Sequence, residues 1–180
     1  MSQLSCLSDL CLAPYILKAT ALIGIKRKVG GNQFRHQFAT LGILLDYKYF
    51  DNSVLLKASL LHDLVEDWGD SSLDEIRYID NDGYAVVDLI LEVSMRNNET
   101  KAEYLNRILI GSNVNPKILK CADRISNLTD LHLDTHSDMN ISLYLDQTMM
   151  YVVPMAQEVN LDFVKELTDL VKRRRKLTKN

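Results

Sequence analysis

The sequence predicts an all-α protein, and three observations predict it. Glycine (seven) and proline (three) are scarce in the 180 residues, so few positions force a turn or break a helix. Apolar residues recur three and four apart through most of the chain, while alternating strand-like runs are rare. Helix-start residues precede several of those runs. Apolar content of 47% and charged content of 25% are ordinary for a globular protein. A chain of this length can bury one substantial core, and no repeat, low-complexity linker or composition break divides it. A single domain is expected.

In order, the spacing predicts helices over about 9–28, 36–49, 53–67, 73–79, 83–95, 100–110, 115–133, 138–158 and 161–175. Asp51, Asn52 and Ser53 offer N-caps to "VLLKASLLHD". Gly69 can end that helix, and Ser72 with Glu75 fits a capping box for the next. "DNDG" at 80–83 reads as a turn. "NVNP" at 113–116 starts another helix, with Pro116 in its first turn.

Charge and cysteine content exclude several classes. A net charge of −3 gives no field to hold nucleic acid or an anionic membrane. The basic run "KRRRK" at 172–176 reads as helix-end cations and a solvated tail. Cys6, Cys11 and Cys121 form no CxxC pair and no disulfide framework, which suits a reducing cytosol. The N-terminal apolar runs are broken by Asp9, Pro14 and Lys18. No run reaches the ~18 residues of a membrane span. A soluble cytoplasmic protein is expected, with no nucleic-acid or membrane partner. The Tyr and Leu residues of 141–164 can build a homo-oligomer face or close the core, and core is the expectation.

The chemistry concentrates in "LLHDLVEDWGD", residues 60–70. The segment from Ser53 is apolar over most of its circumference, through Leu55, Leu56, Ala58, Leu60, Leu61 and Leu64. Such a helix is buried, and charges on it are costly unless paired or metal-bound. His62 lies one turn from Glu66, and Asp63 one turn from Asp67. These polar groups face something other than hydrocarbon. Imidazole plus carboxylate suits a divalent transition metal, whose remaining ligands must come from elsewhere. His36 opens the amphipathic "QFRHQFATLGILL". Asp123 lies on a polar line with Lys120 and Asn127, beside an apolar stripe of Ile118, Cys121, Ile125 and Leu128. Taken singly, His62 also reads as a satisfied core histidine, and Asp123 as an ion-pair partner of Arg124 or a solvated helix residue.

The order His36 … His62-Asp63 … Asp123 resembles the H…HD…D pattern of the HD-domain metal-dependent phosphohydrolases. "LLHDLVEDWGDSSLDEI" is similar to the "LLHDxVEDT…T…EI" segment of the (p)ppGpp hydrolase domain of the RelA/SpoT family. "LKCADRISNL" resembles its "VKLADRxxNL", and "RHQFATLGIL" its "NHPxxVAxIL". "ETKAEYLNRI" resembles a helix of small stand-alone relatives. The resemblance runs from about residue 18 to 158 and leaves a C-terminal helix and basic tail at 161–180.

The resemblance implies an HD-domain helical bundle. It implies one metal, usually Mn²⁺, bound by His36, His62, Asp63 and Asp123. Glu66 and Asp67 match the carboxylate pair that orients or activates water. Arg27 and Lys28 match a basic segment near the substrate. Asn127 matches an asparagine that contacts the nucleotide, and Tyr144 falls where relatives carry a substrate-contacting tyrosine. The implied reaction is hydrolysis of the alarmone 3′-pyrophosphate. There are departures. "RHQ" lacks the proline after the metal histidine, and the loop from Lys28 to His36 is short. Trp68 stands where threonine is common. "SMRNNET" does not reproduce the family's lysine-bearing segment, leaving Arg96 as the nearest cation. These leave open a second substrate class, another nucleotide such as a deoxynucleoside monophosphate.

Overall fold

The computed structural model describes residues 5–68, 73–111 and 113–177, except for the side chains of residues 5, 68, 132 and 177. Among the described residues there is no β-strand, only one bridge between Lys26 and Asn32. The expectations placed on Gly69, Ser72 and the Trp68 side chain lie outside the described residues. The chain divides into two compact units, Met1–Lys26 with Asn32–Ser94, and Arg27–Gly31 with Met95–Asn180.

The first unit holds α1 (Ser5–Ser8), α2 (Ala13–Ala19), a 3₁₀ turn (Thr20–Gly24), α3 (Gln33–Asp46), α4 (Ser53–Ser59), α5 (Leu64–Trp68), α6 (Leu73–Arg77) and α7 (Gly83–Val93). α4 packs on α3 and α7, and α6 on α7. Leu22, Leu44, Leu55, Leu61, Ile76 and Ile90 are fully buried there. Asn52 caps α4 by accepting from Leu55 N–H at 3.1 Å, and Asn32 caps α3 by accepting from Arg35 N–H at 2.9 Å. At Gly83 a Cβ would lie 2.5 Å from the carbonyl oxygens of Ile76 and Arg77. Only glycine permits that approach of α7 to the end of α6.

One polar residue inside this core escapes the periodicity. Lys57 is 5% exposed, yet it sits on the helix predicted to be apolar over most of its circumference. It is paired: Nζ lies 2.7 Å from both Asp80 and Asp82. Tyr15 Oη donates to Asp80 at 2.7 Å, and Ser53 to Asp82 at 2.7 Å. The "DNDG" turn thus carries the counter-ions of a buried lysine. The Lys57 cation and the hydrogen bonds hold both carboxyls below their usual range against the opposing effect of burial.

The second unit holds α8 (Lys101–Ile110), α9 (Val114–Thr129), a 3₁₀ turn (Leu131–Leu133), α10 (Asp138–Gln147), a π-helical turn (Thr148–Val152), α11 (Val153–Val159) and α12 (Leu161–Leu177). α9, α11 and α12 pack on one another, around Leu119, Ile125, Met155, Phe163 and Leu167. Thr100 and Glu103 form a reciprocal capping box at α8. The predicted helix 138–158 is divided by the π turn, and α11 has Pro154 in its first turn. Proline is tolerated there because it has no N–H to donate. The predicted helix 9–28 likewise shortens to α2 and its 3₁₀ extension, because the chain turns at Gly24 and becomes extended at Ile25.

Candidate functional site

The predicted helix 53–67 is interrupted where its chemistry begins. After Ser59 the backbone bonds tighten to three-residue steps, Leu60 N–H to Lys57 O at 3.2 Å and Leu61 N–H to Ala58 O at 3.0 Å. His62 Nδ1 donates to the Ser59 carbonyl at 2.9 Å. That bond fixes the ring's tautomer and leaves Nε2 as its lone-pair nitrogen. The helix resumes at Leu64, and Asp67 N–H bonds Asp63 O at 3.0 Å. The break therefore keeps Asp63 and Asp67 one turn apart while re-aiming His62.

His36 lies on α3, 2% exposed, and His62 is 4% exposed. Their rings meet edge to face with centroids 5.2 Å apart. Asp63 Oδ2 lies 3.5 Å from His36 Nε2 and 3.4 Å from His62 Nε2. Three donor atoms from two elements thus converge. Ligands about 2.1 Å from one ion sit about 3.0 Å apart at octahedral angles and about 3.4 Å apart at tetrahedral ones. The observed separations fit a divalent metal, and two imidazoles with a carboxylate are a borderline donor set suited to such an ion.

Two glutamines that sequence reasoning missed hold this group. Gln37, fully buried, donates from Nε2 to Asp63 Oδ2 at 2.9 Å. Gln33, one turn earlier, donates from Nε2 to Asp67 Oδ2 at 2.8 Å. The available signal was their i, i+4 spacing around His36 on α3. Asp67 is half-buried, and its carboxyl is raised above the ordinary range. Burial is the largest cause, with the neighbouring Asp63 and Glu66 charges adding and the Gln33 bond opposing. Glu66 is exposed.

In the second unit, Asp123 is 4% exposed on α9. The sequence suggested Arg124 as its partner; the structure instead gives Lys120, whose Nζ lies 2.6 Å from Asp123 Oδ2. Arg124 follows Asp123 directly and leaves on another side of the helix, whereas Lys120 is one turn back on the same side. Asn127 donates from Nδ2 to Asp123 Oδ1 at 2.5 Å and accepts at Oδ1 from Arg27 at 2.5 Å. Burial alone would lower the Lys120 ammonium; Asp123 and the Tyr104 hydroxyl overcome this and carry it well above the usual range.

Arg27 reaches Asn127 from a tight loop. Arg27 N–H bonds Gly31 O at 3.3 Å, Gly30 N–H bonds Arg27 O at 3.1 Å, and both glycines have positive φ (85° and 70°). Lys28 is exposed on this loop. Tyr144, half-buried on α10, is raised by burial and by Asp123, while Arg124, Lys120 and Arg27 pull it down. Arg27, Asp123, Asn127 and Tyr144 therefore share one electrostatic neighbourhood. Arg96 is exposed, and its segment is organised by Glu99, which accepts from Arg96 N–H at 3.0 Å and pairs with Arg107 at 2.7 Å. Among the described residues, no helix is long and apolar enough to cross a membrane.

No protein-family model matches the chain, and no curated protein matches it. A solved structure does. It belongs to work describing a metazoan ortholog of SpoT that hydrolyzes ppGpp and plays a role in starvation responses. The two are 23% identical, with a TM-score of 0.76, covering 91% of this chain and 94% of that one. At that identity the likeness is one of fold, and the fold is all-α, as the sequence predicts.

Proposed function

We propose that this protein is a metal-dependent phosphohydrolase that removes the 3′-pyrophosphate of guanosine tetra- and pentaphosphate alarmones, releasing GDP or GTP and pyrophosphate. The observation that carries the reading is Asp63 Oδ2 set 3.4–3.5 Å from the Nε2 atoms of two buried histidines. The HD-type fold and the activity ascribed to its structural neighbour support it. We read the two units as one catalytic domain, cytoplasmic, with a nucleotide substrate and neither nucleic acid nor membrane as partner. Its action would end a stringent-response type of signal.

By resemblance alone, His36, His62, Asp63 and Asp123 are taken as ligands of one divalent ion, manganese. Such an ion polarises a phosphoryl oxygen and lowers the pKa of water. The chain's own residues do the rest. The Ser59 carbonyl holds His62, and Gln37 holds Asp63. Glu66 and Asp67 orient the attacking water and one of the two takes its proton, Asp67 fixed in place by Gln33. Arg27 and Lys28 meet phosphate charge, and Asn127 and Tyr144 contact the nucleoside.

One observation favours keeping the second substrate class. Where the resemblance expects a lysine, the segment carries Glu99, which pairs with the Arg107 guanidinium of α8 and accepts only the backbone N–H of Arg96, so one neighbouring positive charge is neutralised. A less highly phosphorylated substrate, such as a deoxynucleoside monophosphate, needs less cationic surround. Incubating manganese-loaded protein with ppGpp and with deoxynucleoside monophosphates, resolved by ion-exchange chromatography, separates the two. Release of GDP from ppGpp with the monophosphates intact supports the alarmone reading. The reverse pattern sinks it and leaves the second.

A further inference from the structure

Arg124 is 1% exposed, deep in the second unit. Among the described residues it pairs with no carboxylate, and its Nε has no hydrogen-bond partner. An uncompensated buried cation is costly. What it touches is one structure. Its guanidinium carbon lies 3.9 Å from the centre of the Tyr144 ring, a close cation–π contact. Its Nη1 donates to Tyr144 O at 3.2 Å and to Thr148 Oγ1 at 2.8 Å. Thr148 Oγ1 donates in turn to Tyr144 O at 2.8 Å. Thr148 begins the π-helical turn, where α10 changes its step, a distortion that helices tend to carry at functional sites.

We propose that Arg124 is a positioning residue that fixes the Tyr144 ring as a stacking platform for the nucleobase. The inference rests on reading Tyr144 as a nucleoside contact. Arg124 sits over the ring, and the residue as a whole is only partly buried. Aromatic faces take up bases in this way, and a platform must be held in one rotamer to act. Thr148 completes the hold by tying the guanidinium to the tyrosine's own backbone. The sequence contains the pieces, "ADR" and "YLDQT", but only the fold joins positions 20 and 24 residues apart.

Thr148→Val tests the hold without removing the buried cation, and Thr148→Ser restores the hydroxyl. KM and kcat for ppGpp are measured with manganese, and the near-ultraviolet tyrosine circular dichroism without substrate. Thr148→Val should raise KM about fivefold with kcat within about twofold, and Thr148→Ser should stay near wild type. Tyr144→Leu should raise KM about fivefold or more, and the double variant Thr148→Val/Tyr144→Leu no further. Effects on KM that multiply in the double variant would overturn the proposal, as would an unchanged tyrosine band in Thr148→Val. If Tyr144→Leu leaves KM unchanged while Thr148→Val alters the band, Arg124 holds the ring but the nucleoside role of Tyr144 fails.

Discussion

Replacing Gln37 by leucine removes one donor from Asp63 and little else, because Gln37 is fully buried and leucine nearly matches its volume. The lost bond, Nε2 to Asp63 Oδ2 at 2.9 Å, is charge-assisted. Such bonds contribute about 1.5–3 kcal/mol net. The Asp63 side chain is 20% exposed, so water recovers part of the loss; the lower part of the range, about 1.5–2 kcal/mol, is expected. That is roughly 10- to 30-fold in metal affinity, within the span found for residues that orient ligands. Calorimetric titration of manganese into chelator-stripped protein measures it, with Asp63→Ala as the reference for loss of a ligand. A dissociation constant for Gln37→Leu within twofold of wild type, beside a large loss in Asp63→Ala, would refute the claim that Gln37 sets Asp63's geometry.

Other expectations follow from the same structure. Glu66→Ala/Asp67→Ala should lose about 10²–10⁴-fold in kcat while manganese affinity changes little, checked by steady-state kinetics beside the titration. Lys57→Met leaves Asp80 and Asp82 without their cation and should cost about 2–3 kcal/mol in urea unfolding at pH 7, discounted from a fully buried pair because both carboxylates are partly exposed. In wild type, Asp80 and Asp82 have lowered folded-state values, so their contribution is complete above the unfolded carboxylate value near ~3.9 and is lost as pH falls through the folded ones. Lys57→Met should flatten that acid limb of the stability profile. Gly83→Ala drives a methyl to 2.5 Å from two backbone oxygens and should destabilise by about 1–3 kcal/mol, read from the denaturation midpoint.

Helix content, the Asn52 cap and the chemistry-bearing segments were legible in the sequence because each rests on spacing within one stretch of chain. Asn52 caps the helix it was expected to cap, and the structure sets Asp63 Oδ2 within 3.5 Å of both His36 and His62. What stayed illegible depends on pairing across the chain. Nothing local marks Lys57 as paired, because its partners Asp80 and Asp82 come from a distant turn. Gln33 and Gln37 look like ordinary polar positions of an amphipathic helix until the turn at 60–63 delivers Asp63 and Asp67 to them. That turn is itself invisible to apolar periodicity, because Leu60 and Leu61 are buried as they would be in a continuous helix. The π turn at Thr148–Val152 is hidden likewise, since one residue of slip leaves the apolar stripe nearly intact.

The most direct test of the central claim is phosphorus NMR of ppGpp incubated with manganese-loaded wild type and, separately, with Asp63→Ala. The account predicts that wild type converts ppGpp to GDP and pyrophosphate, and that Asp63→Ala, folded by circular dichroism, leaves it intact. Equal turnover by the two proteins, or intact ppGpp with wild type that calorimetry shows to have bound manganese, would contradict it.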